Sequence, residues 1–362
     1  MNIVIDARVI NSSTGTYVER LLHYLQIIDS DNDYTILIPS KDEQYWKPTA
    51  KNFKVKFADF PNYSISEQVG FKKMLEELNP DLVHFCMPQQ PIGYKGKKVT
   101  TFHDLTLLKV YNTDKNWLIF KIKQQIGKFV FKSVAKSSDY IISPTEYTKQ
   151  DIIKTFGTEK EKIIVTLESA EIKQDGIEKY DLSFDKFIYN VGRHSEYKNI
   201  KSLAAAHQKL LLKYPGLGLV LANFPGKDAD ENKEYFKEKG YKNIHFTDRL
   251  KLSQRDWLYQ HCEALVFPSL YEGFGLPGLE AMANKAPLIS SNATCLPEVY
   301  GDGAIYFDPL SVDDMVNKID QVLSDSKLRA DLIKRGTKQF NKYSWEKMAK
   351  ETHAVYLKAL KK

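Results

Sequence analysis

Short apolar runs rich in β-branched residues recur along this chain, separated by segments of helical periodicity, and no other feature restricts its fold as much. In the first half these runs are "NIVIDA", "YTILI", "FKVKF", "DLVHF", "VTTF", "DYIIS" and "KIIVT", all between residues 2 and 166. Strands that alternate with helices are joined by crossovers, which predicts a parallel, doubly wound α/β sheet. The polar stretch "ESAEIKQDGIEKYDLSFDK", residues 168–186, breaks the rhythm. It resumes with "FIYNV", "LGLVLA", "NIHF", "ALVFPS", "APLISS" and "AIYF", interleaved with helical segments at 200–213, 253–262 and 312–323. Two Rossmann-like domains are therefore expected, at 1–170 and 187–343, joined by a linker over 171–186. A length of 362 residues, long for one core, agrees. At the end, Trp345, Met348, Ala349, Val355, Leu357 and Leu360 fall at helical spacing, so 344–362 is expected to be an amphipathic helix packed on the rest.

Composition excludes several classes. A net charge of +6, with basic and acidic residues interspersed, gives no basis for nucleic-acid binding. Cys86, Cys262 and Cys295 are scattered, without CxxC or neighbouring histidines at metal spacing, which fits a reducing cytoplasmic setting. "MNIVIDARVI" reads as a first strand, not a signal peptide, and no apolar run approaches the roughly 18 residues that span a bilayer.

In open α/β sheets, ligands sit at the carboxyl ends of strands, so the loops there carry the chemistry. In "YNVGRHSEYKNI", residues 189–200, a strand is followed by a glycine and then by Arg193 and Lys198. Two cations at a strand end suit a diphosphate; alone, they also suit a solvated loop. Later, "SLYEGFGLPGLEAM", residues 269–282, places Glu272 and Glu280 around a glycine turn. Gly273 and Gly275 let backbone N–H groups approach a ligand, and Pro277 starts a helix whose N-terminus favours an anion. The carboxylates match sugar or ribose hydroxyls better than phosphate. A nicotinamide enzyme is disfavoured, since no G-x-G-x-x-G follows a strand.

Together these stretches resemble the retaining GT-B glycosyltransferases of glycosyltransferase family 4, over nearly the whole chain. Glu272 to Glu280 match the family's E-x7-E motif, and "GRHSEYKN" is similar to its G-R-x4-K-N loop. The resemblance implies two Rossmann-like domains facing across a cleft, with the C-terminal helix packing back on the N-terminal, acceptor-binding domain. It implies that Arg193 and Lys198 hold the donor diphosphate together with the backbone of Gly273, Phe274, Gly275 and Leu276. Glu280 would hold the ribose, and Glu272 would lie near the donor sugar and leaving phosphate. "NSSTGTYVERLL" resembles the family's glycine loop, bringing Gly15 toward the phosphates, although only one glycine stands where a pair is common. "TTFHDLTLL" resembles its T-x-H-D-L stretch, in which His103 faces the donor sugar; a core histidine is the plainer alternative. Asp104 is expected to orient His103 or help hold the acceptor. His84 and His194 are read as structural.

The implied activity is transfer of a hexose from a nucleotide diphosphate sugar to a sugar or lipid-linked oligosaccharide, in bacterial surface polysaccharide (O-antigen, capsule) synthesis. GDP-mannose is preferred over UDP-sugars as donor. Replacement of the family's usual glycine-rich stretches by "ANKAP" and "FTDRLK" leaves the base open. Alternatives are a sugar-nucleotide epimerase, whose own acid/base set is not found, and a non-catalytic nucleotide-sugar-binding protein. Neither cofactor nor catalytic metal is expected: the D-x-D patterns at Asp228/Asp230, Asp29/Asp31 and Asp31/Asp33 lie in polar turns away from the motif loops.

One charge asymmetry remains. Residues 95–136 hold ten lysines against Asp104 and Asp114. Within it, 115–136 reads as a basic amphipathic helix, either a domain helix with solvated lysines or a peripheral anchor on an anionic membrane surface.

Overall fold

The computed structural model describes every residue except 13, 111–116, 172–175, 223–225 and 362, with the side chains of 117–120 and 122 also outside the described set. Two compact units emerge. The first holds Met1–Leu108, Lys123–Glu168 and Ser344–Lys362, and the second Lys109–Ile122 and Ser169–Tyr343. Lys115 and the middle of the expected linker lie outside the described residues.

In the first unit, β1 (Asn2–Asp6), β2 (Asp33–Ile38), β3 (Phe53–Phe57), β4 (Leu82–Phe85), β5 (Lys98–Thr101), β6 (Tyr140–Ser143) and β7 (Ile163–Val165) form one sheet. Its order is β3-β2-β1-β4-β5-β6-β7, and every pairing is parallel. These are the apolar runs of the sequence. Central strands such as β4 and β6 are buried throughout because helices cover both faces, which explains their continuous, rather than alternating, hydrophobicity. Strand order reverses between β1 and β4, opening a crevice at their carboxyl ends.

The C-terminal helix Trp345–Lys361 belongs to this unit, as expected from the resemblance. It packs along the helix Gly15–Ile28, burying Trp345, Met348, Ala349, Val355 and Tyr356. Polar contacts set its register. His84 Nδ1 is 2.6 Å from Tyr356 Oη, His353 Nε2 is 2.9 Å from Asp29 Oδ2, and Lys97 Nζ donates to Leu360 O at 3.0 Å.

The helix Trp117–Ser137 buries Val130, Phe131, Val134 and Ala135 against Phe102, Leu105, Ile141, Ile152 and Ile163. Its outer face carries the exposed lysines 121, 123, 128, 132 and 136. Ile126 and Phe129, which helical spacing would assign to the core, are 48% and 62% exposed instead. Among the described residues no helix is long and apolar enough to cross a membrane.

In the second unit, β8 (Lys186–Val191), β9 (Leu217–Ala222), β10 (Ile244–Phe246), β11 (Ala264–Phe267), β12 (Leu288–Ser291) and β13 (Ala304–Phe307) form a parallel sheet ordered β10-β9-β8-β11-β12-β13. Ile188, Leu219, Val266, Ile289 and Phe307 from its strands meet Leu203 and Ile319 from the covering helices. The reversal here lies between β8 and β11. Their carboxyl-end loops are the two stretches that the sequence singled out.

Candidate active site

The loop leaving β8 begins at Gly192, whose φ of 140° few side-chain-bearing residues adopt. Arg193 follows, exposed, and a single turn at Glu196–Lys198 leads to Asn199. Asn199 adopts a left-handed conformation (φ 59°) and opens the helix Ile200–Leu210. Its side-chain amide donates to the carbonyls of Pro268 (3.2 Å) and Pro309 (2.8 Å), while Leu270 N donates to Tyr197 O at 2.8 Å. Those bonds fasten the β8 loop to the loops after β11 and β13. Lys198 and Glu272, 74 residues apart, meet as a result: Nζ donates to Oε1 at 2.5 Å. The ammonium also lies 5.1 Å from the Tyr197 ring centroid and 5.6 Å from that of Phe267.

The glycine turn after Glu272 is held from below. Glu272 N donates to Thr294 Oγ1 at 3.1 Å, and Tyr300 Oη donates to Gly275 O at 2.5 Å. Gly275 has φ 90°, and a Cβ there would strike the Tyr300 hydroxyl. At Gly278 a Cβ would enter the Tyr300 ring itself. The helix Leu276–Ala283 can thus start close against Tyr300, with Pro277 in its first turn where a missing N–H costs nothing. Because it follows β11, the helix starts on the carboxyl-end side of the sheet, where the loop after β8 carrying Arg193 and Lys198 also leaves it. Phe274 is buried, edge-on to Tyr343 at 5.9 Å, so only its backbone is available to a ligand.

Glu280 lies one turn into that helix and is held at both oxygens. Arg255 Nη1 donates to Oε1 at 3.0 Å and Tyr259 Oη to Oε2 at 2.8 Å, both from the helix Leu252–His261. Burial, the largest single influence, works against the charge of Arg255, but Glu280, Tyr259, Asp256 and Tyr189 together outweigh it and the guanidinium is held more firmly protonated. A carboxylate has about four acceptor sites, so Glu280 keeps capacity for hydroxyls. Neither Arg255 nor Tyr259 was singled out from the sequence.

The remaining expected residues belong to the first unit. Gly15 starts the helix Gly15–Ile28, and a Cβ there would collide with the carbonyl of Ile10, so local backbone packing already requires glycine. His103 sits two residues past β5, with Nδ1 3.0 Å from Glu168 Oε1 and Nε2 3.1 Å from Cys86 O. Asp104 Oδ1 accepts from Thr106 N at 2.7 Å, capping a short turn; the carboxylate that reaches the His103 ring is Glu168. His84 is buried between Thr101 and Tyr356, and burial lowers its pKa to about 3. His194 is buried too, and burial lowers its pKa to about 4.

Asp228 and Asp230 occupy the first turn of the helix Lys227–Glu238, where acids suit the dipole. Contrary to the expectation that this pair lies away from the motif loops, Asp228 lines a cavity of about 300 Å³ with His194, Ser195 and Asn199 of the loop after β8 and with Lys201 and Leu270. Asp29 accepts from Tyr34 Oη at 2.6 Å and from Asn32 Nδ2 at 2.8 Å. Among the described residues, no group of three or more His, Cys, Asp or Glu is placed to hold a metal ion.

Arg193, Lys198, Glu272, Glu280 and a helix N-terminus thus stand in the loops at one strand reversal of the second sheet, and comparison with known proteins shows the family of the chain. Residues 175–339 match the family described as "Glycosyl transferases group 1", and residues 14–166 match "Glycosyltransferase Family 4". The O-antigen chain mannosyltransferase B of Escherichia coli is 30% identical over 278 residues, covering 72% of this chain and 70% of that protein. The serotype-specific mannosyltransferase WbdA of Escherichia coli is 30% identical over 268 residues, which are 70% of this chain but only 32% of that longer protein. The sucrose-phosphate synthase of Thermosynechococcus elongatus shares the fold, with TM-score 0.77 at 16% identity, over 99% of this chain and 98% of the other. The chain belongs to the GT-B glycosyltransferases of family 4.

Proposed function

We propose that this glycosyltransferase moves a hexose, with retention of anomeric configuration, from a nucleotide diphosphate sugar to a sugar or lipid-linked oligosaccharide in bacterial surface polysaccharide synthesis. GDP-mannose is the preferred donor and a UDP-sugar the second choice. The names of the mannosyltransferase relatives support the sugar and the pathway class. The observation that carries the reading is the Lys198–Glu272 pair beside the glycine turn, at the reversal between β8 and β11.

Transfer passes through an oxocarbenium-like transition state while negative charge grows on the departing diphosphate. Arg193, Lys198 and the N–H groups at the start of the helix Leu276–Ala283 stabilise that charge without a metal. Glu280 takes the ribose hydroxyls and Glu272 the sugar end. His103 binds the donor sugar, Asp104 helps hold the acceptor, and Gly15 lies near the phosphates. Retention follows from same-face attack, the leaving phosphate accepting the acceptor's proton, so Glu272 acts as an electrostatic partner and not as a nucleophile. The enzyme works in the cytoplasm, at the inner face of the membrane through residues 115–136.

A panel of GDP-, UDP-, ADP- and dTDP-sugars with membrane-derived acceptor extracts, read as nucleotide release and product anomeric configuration with and without EDTA, tests this. GDP release from GDP-mannose, a product of unchanged configuration and no effect of EDTA are expected. Release from no donor would return the protein to a binding role.

A further inference from the structure

We propose that Glu168 is the positioning residue for His103 and holds its ring as a hydrogen-bond donor on both nitrogens, so that His103 does not serve as a base. The assignment of His103 to donor binding rests on the proposed function; the geometry that follows does not.

His103 projects from the loop after β5 and is fixed on three sides. Glu168, buried just beyond β7, places Oε1 3.0 Å from Nδ1. The carbonyl of Cys86, just beyond β4, lies 3.1 Å from Nε2. Tyr17 packs edge-on, with ring centroids 4.7 Å apart at 81°, and its hydroxyl is engaged by Thr101 Oγ1 at 3.0 Å. A peptide carbonyl can only accept, so Nε2 carries a hydrogen. An ionised carboxylate also only accepts, so Nδ1 carries one as well, with Glu168 as counter-ion. With both nitrogens donating, the ring has no vacant nitrogen with which to act as a base.

The consequence is chemical. When a donor sugar approaches, Nε2–H can pass from the Cys86 carbonyl to a sugar oxygen while Glu168 keeps the ring from turning. This complements retention by same-face attack, in which the leaving phosphate takes the proton and the protein needs no base at this position.

The test compares Glu168→Gln, Glu168→Asp, His103→Ala and the double variant Glu168→Gln/His103→Ala. In ¹⁵N-histidine spectra of the full chain, with the His103 signals identified by their loss in His103→Ala, the unmutated protein should show hydrogens on both ring nitrogens. Glu168→Gln should lose the Nδ1 signal, and Glu168→Asp should retain it in part. With GDP-mannose, Glu168→Gln should lower kcat roughly 10–100-fold with KM within about twofold, as expected for one charge-assisted hydrogen bond. The double variant should be no slower than His103→Ala alone, because both changes act through one ring. Unchanged His103 spectra in Glu168→Gln, or additive losses in the double variant, overturn the proposal. Altered spectra with full activity in both Glu168→Gln and His103→Ala would uphold the positioning and instead remove His103 from the proposed transfer.

Discussion

Lys198 Nζ lies 2.5 Å from Glu272 Oε1, bridging the loops after β8 and β11 where the strand order of the second sheet reverses. In the ligand-free protein the carboxylate keeps the ammonium at the site, and a bound diphosphate would share it. Lys198→Met should therefore weaken GDP binding by about 1.5–3 kcal/mol, the worth of a hydrogen bond to a charged group, or roughly 10–100-fold in Kd by calorimetry. A Kd equal to that of the unmutated protein would exclude Lys198 from the diphosphate.

Gly278 is a second test of the same turn, through packing and not charge. Its missing Cβ is the space occupied by the Tyr300 ring, itself fully buried and bonded to Gly275 O. Gly278→Ala should cost about 1–3 kcal/mol by overpacking, seen as a lower urea midpoint with unchanged slope. Loss of donor binding should accompany it, because the displaced helix start carries the N–H groups proposed to meet the phosphates. Undiminished stability would mean that Tyr300 has another rotamer open to it.

Much of this was legible in the sequence, and the reason is local. Each strand is a run whose own composition demands burial, so "DLVHF" or "ALVFPS" announces itself without knowledge of its partners. Lys198 and Glu272 were legible for a different reason: each follows such a strand directly, and strand ends are where α/β sheets bind. What stayed hidden depends on partners distant in sequence. Arg255 and Tyr259 lie 25 and 21 residues before Glu280, in "LSQRDWLYQH", whose apolar residues form no clear stripe. Glu168 read as the first of a polar run; only the placement of β7 two strands from β5 brings it to His103. Asp104, adjacent to His103 in sequence, turned out to cap a turn. The exposure of Ile126 and Phe129 was not legible either, because spacing alone cannot tell a wide buried face from a narrow one.

Stability should fall in mild acid. Burial, the largest influence in each case, lowers the pKa of His84 to about 3 and those of His194 and His207 to about 4. In the unfolded chain each histidine titrates near 6.5. Between these values the unfolded state binds protons that the folded state refuses, so the stability is fully present above roughly pH 6.5 and is lost as pH falls toward 4. At pH 5 the loss is about 2 kcal/mol per histidine. Urea midpoints at pH 7 and pH 5 should show this decline, and His84→Gln, which can keep a hydrogen-bonding group between Tyr356 and Thr101 without titrating, should reduce it by about 2 kcal/mol for the unit that contains it. Equal midpoints at the two pH values would show that these rings are protonated while folded.

The outer face of the helix Trp117–Ser137 makes the membrane reading testable. No acid lies between Asp114 and Asp139, and exposed lysines at 121, 123, 128, 132 and 136 surround Ile126 and Phe129, which face solvent at 48% and 62%. A solvated domain helix has no need of two large exposed apolar side chains one turn apart, whereas a helix lying on an anionic surface uses both elements, the lysines for attraction and the apolar pair for insertion. Each lysine at such a surface is worth about 1 kcal/mol, and the attraction decays over roughly 10 Å at 0.1 M salt. The full chain should float with vesicles containing anionic lipid at low salt, float less at high salt, and lose most binding in Lys123→Glu/Lys128→Glu. Phe129→Ser should weaken what survives at high salt, since insertion is insensitive to screening. No flotation at low salt would leave the lysines as a solvated face and nothing more.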